Sequence, residues 1–370
     1  MIKKPLLVIG GEHHNTLGVI RSLGEKGERP DVLLVNKNKK TFVGASKYIN
    51  RVFFVDTAAD VSSFLINTYP QKDDFTIVIA CSDAVSSNLD ENRNALVNRY
   101  LLPGAREQGA ITHFMNKNSM AILANKVGLR TPPSWLLGAN ADLNNVEYPC
   151  ITKPLLSKIG NKKDITICEN EEKLKEYIKC HVDSITQVQK YIDKSMEYQL
   201  IGCSLEEEII IPGYSEILRP CKGSNTSFLK YSPIEDGFCN MDSCHQFIRE
   251  TGYLGLFSLE FIRDKEGNDY FLEMNFRNDG NSICVTASGI NLPYIWYLSR
   301  LGEDWHGEIT KPETVYVMPE FSETGLLLRG TIKLKEWFSD MRKTDRFMDY
   351  DKKDPRPFWK ELYMKLFNIA

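Results

Sequence analysis

The stretch from Phe257 to Ser282 constrains the fold of this chain more than any other. Phe257-Ser258-Leu259-Glu260-Phe261-Ile262 and Tyr270-Phe271-Leu272-Glu273-Met274-Asn275-Phe276-Arg277 flank a polar turn, Asp264-Lys265-Glu266-Gly267-Asn268-Asp269. Alternating apolar and polar residues on both sides of a Gly-containing turn predict a β-hairpin. With Glu266-Gly267 as a two-residue loop, Lys265 faces Asn268 and Glu260 falls opposite Glu273. The period of two then puts Phe257, Leu259, Phe261, Tyr270, Leu272, Met274 and Phe276 on a core face, and Ser258, Glu260, Glu273, Asn275 and Arg277 on the other. Like charges opposed across a ladder are destabilising. Two readings follow: a solvated polar face, common in antiparallel sheets, or oxygen ligands for a divalent cation such as Mg²⁺.

The chain has 370 residues, 42% of them hydrophobic and 26% charged, which suits two or three globular domains. A net charge of −3 gives no reason to expect nucleic acid or an anionic membrane as a partner. No apolar run reaches the length of a membrane span. The N-terminal run Leu6-Leu7-Val8-Ile9-Gly10-Gly11 lacks the cleavage site of a signal peptide and reads as a first strand. The nine cysteines are scattered and include no Cys-x-x-Cys, which argues against a disulfide scaffold or zinc site and for reduced thiols in a cytoplasmic protein. Adjacent His13 and His14 point different ways on a strand or helix and are expected to hold no metal.

The first part of the chain alternates strand and helix. Apolar runs at Leu6 to Ile9, Val32 to Val35, Val52 to Val55 and Phe75 to Ala80 are separated by helical patterns, the signature of an α/β unit with a parallel sheet. Gly10-Gly11-Glu12-His13-His14-Asn15 lacks the order of a dinucleotide fingerprint. Ser82 and Asp83 close the fourth strand at its carboxyl end, where open α/β sheets bind ligands, and capping the next helix uses the same residues. Polar helix is expected from Asp90 to Tyr100. Further on, Lys117 precedes a helix that stops at Gly128. Lys153 ends a strand before Pro154, and the loop 155–164 with Lys158, Lys162 and Lys163 suits phosphate or a plain solvated hairpin. Residues 313–334 look β-rich. The aromatic residues of the tail, among them Trp337, Phe338, Phe358 and Trp359, imply that it packs on the body.

In chain order these parts are a lysine before a helix, a strand lysine before proline, a basic loop, the segment Gln189 to Ile192, Glu197, and the paired-acid hairpin. Together they resemble the ATP-grasp superfamily of carboxylate–amine ligases across most of the chain. Phe271-Leu272-Glu273-Met274-Asn275-Phe276-Arg277 and Tyr148-Pro149-Cys150-Ile151-Thr152-Lys153-Pro154 carry the resemblance most specifically. Asn278-Asp279-Gly280-Asn281 and Asp354-Pro355-Arg356-Pro357-Phe358 look most like the D-aspartate ligase branch. The resemblance implies an α/β protein: a Rossmann-like domain over 1–112, an ATP-grasp N-lobe over 113–190, a C-lobe over 191–310, and a β-rich segment with packed tail over 311–370.

It also implies roles. Lys117 and Lys153 would contact the α- and β-phosphates of ATP, with Lys158 in the loop above them. Gln189, Lys190 and Ile192 would meet the adenine edge, and Glu197 the ribose. Glu260, Glu273 and Asn275 would hold Mg²⁺, for which Mn²⁺ can substitute. Arg277 would steady the acyl phosphate, and Arg219 and Lys222 are candidates for the carboxylate or γ-phosphate, against plain surface ion pairing. Asn278, Asp279 and Asn281 would shape the acceptor pocket or form a plain turn. The loop 155–164 has fewer glycines than is usual in the family, and Gln189 stands where an acid is common. The implied chemistry joins a carboxylate substrate to an amine substrate through an acyl phosphate. Alternatives are a carboxylase or carbamoyl-phosphate type of reaction, and a nucleotide-binding protein without catalysis. An oligomer is left open.

Overall fold

The structure, a computed structural model, describes residues 4–70, 74–138, 141–153, 166–181, 185–219 and 228–368, with only the backbone of Lys153. Three sheets organise it. In the first, β1 (Leu6–Gly11), β2 (Asp31–Val35), β3 (Val52–Val55), β4 (Thr76–Ala80) and β5 (Tyr100–Leu101) run parallel in the order β3-β2-β1-β4-β5. Their apolar runs are continuous because helices cover both faces. Leu17, Ile20 and Leu23 of the helix His14–Glu25 lie against Val8, Val32 and Leu34 in one core, and Val61 and Leu65 pack with Leu7, Ile9 and Leu33 in another. The strand order reverses between β1 and β4, so the carboxyl ends of these two strands flank a crevice.

The second sheet is small: β6 (Ser134–Leu137), β7 (Cys150–Lys153), β8 (Thr166–Cys168) and β9 (Thr186–Lys190), ordered β6-β9-β7-β8 and antiparallel. Cys150, Cys168 and Val188 close its buried face with Leu174 and Ile178 of the helix Glu171–Lys179. The third sheet has eight strands. Its path is β15 (Asp269–Asn275), β14 (Gly255–Asp264), β10 (Lys194–Ser204), β12 (Gly213–Ile217), β13 (Leu229–Pro233), β16 (Val315–Met318) and β17 (Arg346–Phe347), with β11 (Ile209–Ile210) beside β10.

The predicted hairpin is present, with a different turn. Residues 265–268 form a longer loop in which Asp264 donates to the Asn268 carbonyl, and β14 and β15 start in the register Arg263 to Asp269. A bulge between Glu260 and Phe261 then shifts the register by one and sets Glu260 opposite Glu273. A bulge places two residues against one, so Phe271 enters the core with Met274 and Phe276 while Tyr270 and Leu272 are only half-buried. The core face expected from strict alternation is corrected at those two positions.

The polar helix expected from Asp90 to Tyr100 is instead Asp83–Glu91 followed by the short Arg93–Leu96, with Tyr100 entering β5. The β-rich reading of residues 313–334 holds only for β16. Glu320–Leu328 is a helix that buries Glu323 and Leu326, three apart. The apolar run Leu326-Leu327-Leu328 fits either period, and tertiary burial selects the helical one. Helices Leu334–Lys343 and Arg356–Leu366 complete the tail.

The tail is tied to the first sheet by a buried ion pair. Arg21, 1% exposed, approaches Asp354 Oδ2 at 3.4 Å and donates to the carbonyls of Met348, Asp349 and Asp354 at 3.0 Å each. Ser46 Oγ and the Lys47 amide donate to the same carboxylate. Removing one partner of a buried pair leaves an uncompensated charge. Asp354→Ala is expected to lower the unfolding free energy by about 3–5 kcal/mol, read from urea denaturation; a loss below about 1 kcal/mol would contradict this placement.

Candidate active site

Glu260 and Glu273 are Cα partners on β14 and β15, and Gln199 of β10 is the partner of Glu260 on its other side. Directly opposed residues share a face, so Gln199, Glu260, Glu273, Asn275 and Ser258 lie together. A ring of hydrogen bonds links Gln199, Glu260, Asn275 and Ser258 through Asp279 and Asn281. Gln199 Nε2 donates to Glu260 Oε1 at 3.1 Å, and Asn275 Nδ2 donates to the same oxygen at 3.0 Å and to Ser258 Oγ at 3.1 Å. Ser258 Oγ donates to Asp279 Oδ2 at 2.8 Å, the Asn281 amide donates to Asp279 Oδ1 at 2.8 Å, and Asn281 Nδ2 closes the ring on Gln199 Oε1 at 2.8 Å. Buried networks of this kind fix side-chain orientation.

Lys117 is the first residue of the helix Lys117–Lys126, whose N-cap Asn116 accepts from the amides of Asn118 and Ser119. Met120, Leu123 and Ala124 bury that helix beside Phe271 and Met274. Its first turn thereby brings Lys117 Nζ to 3.4 Å from Glu273 Oε2. Arg277 donates to Asp279 Oδ2 at 2.9 Å and to Asn275 Oδ1 at 3.0 Å, and its Nε lies 3.4 Å from Asp83 Oδ1. Burial works against the guanidinium charge, but Asp83 and Asp279 outweigh it and push its pKa up.

The segment after the hairpin reaches the first sheet at the point where the strand order reverses. The Asn278 amide donates to the Ala80 carbonyl at 3.0 Å, and Asn15 Nδ2 donates to the carbonyls of Cys81 and Asn278 at 2.9 and 2.8 Å. Ser82 caps the helix Asp83–Glu91 by accepting from the Val85 amide, while Asp83 turns to Arg277. His13 and His14 lie near this junction. Their rings lie 3.8 Å apart, and Arg277 and Asp279 act on His13 through space. Asp83, His13, Gln199 and Asp279 join the site across long sequence separations. The local signals were a polar strand tip for Asp83 and a place just after the hairpin for Asp279; nothing local pointed to Gln199.

The other expected site residues fall into three groups. On the small sheet, Gln189 is buried opposite Ile151, and Lys153 lies opposite Gln187, whose buried Oε1 has no partner among the described residues. Lys190 makes a surface ion pair with Glu147 at 2.5 Å, and Ile192 is half-buried just beyond the strand. Glu197 sits at the edge of the acid face on β10, ion-paired with Lys194. Lys158, Lys162, Lys163 and Lys222 lie outside the described residues, as does the Lys153 side chain. Arg219 is placed differently from expectation. Its described partners are Glu323, Glu336 and Asp340 of the tail helices, beneath which Phe228 offers a ring face. Those three carboxylates lie more than a hundred positions downstream, so no local pattern announced them.

No protein-family model matches the chain. By sequence it is 28% identical over 109 residues to a D-alanine–D-alanine ligase of Campylobacter lari and 29% identical over 111 residues to that of Campylobacter jejuni. Each match covers 29% of this chain and 31% of the relative, so the chain is matched over about a third of their length. Among solved structures it resembles an N5-carboxyaminoimidazole synthetase from Staphylococcus aureus, with a TM-score of 0.70, 16% identity, and coverage of 90% of this chain and 87% of the other. It also resembles an L-amino acid ligase from Bacillus licheniformis (TM-score 0.63, 16% identity, 85% and 80% covered) and a biotin carboxylase from Campylobacter jejuni (0.63, 17%, 83% and 72%). The chain has the ATP-grasp fold. Among the described residues no helix is long and apolar enough to cross a membrane.

The half-buried His14 next to this face provides a solution test. Burial, then the neighbouring His13 and Lys365, hold the His14 pKa well below 6.5. Unfolding restores the ordinary value, so His14 contributes stability that is present above pH 6.5 and lost as pH falls below it. In an NMR titration its ring resonance is expected to stay flat through pH 6.5; a midpoint at or above that value would contradict its burial.

Proposed function

We propose that the protein is an ATP-dependent ligase that joins a carboxylate to an amine through an acyl phosphate, acting on amino-acid-like substrates. The observation that carries this reading is the opposition of Glu260 and Glu273, with Asn275 beside them and Lys117 3.4 Å from Glu273. A binding-only protein need not keep two opposed carboxylates, whereas phosphoryl transfer relies on metal ions held by such oxygens. The residues fit Mg²⁺. Among the described residues no group of three or more His, Cys, Asp or Glu encloses a metal, and two carboxylates plus an amide oxygen match a cation that keeps waters and takes further oxygens from phosphates. When bound, Mg²⁺ neutralises charge between the phosphates of ATP.

The chain's own groups do the rest. Lys117 and Lys153 bind phosphate oxygens, and Glu197 accepts from the ribose hydroxyls. Gln189, Lys190 and Ile192 line the adenine edge, Gln189 offering an amide where an acid is common in the family. Arg277, held charged by Asp83 and Asp279, steadies the acyl phosphate, since guanidinium matches phosphate geometry. Positioning supplies much of the rate. Lys158 would close over the phosphates, and Lys222 remains a candidate for the carboxylate. Arg219, committed to three tail carboxylates, acts in this reading by anchoring the tail. The 311–370 segment is then a support for the other parts, and kinship with the D-aspartate ligase branch rests on Asn278 to Asn281 and the Asp354 to Phe358 motif.

ADP release is expected only with Mg²⁺, ATP, an acid and an amine together, followed by mass spectrometry of the product across an amino-acid panel. Release that requires bicarbonate in place of the acid would favour the carboxylase type instead. Glu273→Gln is expected to lower turnover by about a hundredfold or more while leaving the circular dichroism spectrum and melting temperature near wild type. Unchanged turnover would remove Glu273 from the proposed metal set.

A further inference from the structure

A cavity of about 590 Å³ lies between the end of β1, the segment after β2 and the tail. His13 and His14 form the wall it shares with the acid face, since Arg277 and Asp279 act on His13 from that side and His14 Nε2 would lie 3.3 Å from a side chain at Gly280. The tail supplies the opposite wall with Asp349, Glu361 and Met364, and Phe42 and Phe321 add apolar surface.

The charges in this cavity do not balance. Glu361 is 8% exposed; its Oε1 is 2.6 Å from Lys365, but its Oε2 has no partner among the described residues. Asp349 is 5% exposed, and its neighbour Glu320 accepts from the amides of Asp349 and Tyr350. Glu12 spends its carboxylate on the amides of Phe42 and Val43. Lys365, and Lys40 at the rim, are the cations that face these groups. Burial first, then repulsion from Glu320 at Asp349 and from Asp349 at Glu361, raises the two carboxyls to about 7 each. A buried carboxylate oxygen without a donor is costly, and a bound donor carrying positive charge removes that cost. The apolar patches suit an organic cation.

We propose that this cavity is a subsite for a ligand with a primary aliphatic ammonium group, received by Glu361 and Asp349. Under the ligase reading, on which the ligand's role rests, it is the amine substrate, delivered past His13 and His14 to the acid face. Glu361 is then a specificity-determining residue, and the tail takes part in substrate choice.

The test uses the full chain labelled with ¹³C-methyl methionine, because Met364 lines the cavity. Titration with n-butylammonium chloride is expected to shift the Met364 methyl resonance saturably, and n-butanol at the same concentrations is not. Glu361→Gln is expected to weaken n-butylammonium binding about ten- to a hundredfold, and Glu361→Asp to retain most of it. An absent shift, an equal response to n-butanol, or unchanged affinity in Glu361→Gln overturns the assignment. If Glu361→Gln does not fold, the comparison of the two probes on the wild-type chain decides. ADP release is measured separately. Acid- and amine-dependent release without a Met364 response removes the subsite and leaves the ligase reading. A Met364 response with no ADP release from any substrate pair keeps the subsite and removes the ligase reading.

Discussion

Two carboxylates set opposite each other on adjacent strands repel, and much of the polar structure around Glu260 and Glu273 answers that repulsion. Gln199 and Asn275 both donate to Glu260 Oε1, and Lys117 brings its ammonium to Glu273. Asp279 accepts from Ser258, Asn281 and Arg277, so one carboxylate ties the ring to the guanidinium. These groups orient the acids, and two opposed carboxylates with an amide beside them make an oxygen-rich face of the kind that suits a divalent cation.

The face gains its surroundings from two docking events. Asn278 joins the hairpin's end to β4 through the Ala80 carbonyl, and Asn15 clamps the same turn. That junction lies where the first sheet reverses its strand order, a position at which α/β sheets present ligands. The second event is the burial of Arg21 against Asp354, which holds the tail over the same end of the first sheet. The cavity lined by His13, His14 and Glu361 lies between the end of the first sheet and the tail.

The hairpin shows how far local pattern carries. Counting from a two-residue loop gave the right opposition of Glu260 and Glu273, although the loop is longer, because a bulge restores the register lost at the turn. Alternation alone does not reveal a bulge, so Tyr270 and Leu272, expected in the core, are half-buried while Phe271 fills it. The helix Glu320–Leu328 was misread for a related reason, since its apolar run satisfies both periods.

The sequence by itself determined the parallel sheet of the first part, the hairpin with its opposed acids, the helix at Lys117 and the strand that ends at Lys153. These depend on periodicity and turn residues, which act between near neighbours in the chain. Only the tertiary structure decided that Arg219 pairs with tail carboxylates, that Asp83 supports Arg277, that Asn15 meets Asn278 across 263 positions, and that His13 and His14 separate two polar sites. Such contacts arise from the packing of complete sheets and helices, and no local spacing encodes them.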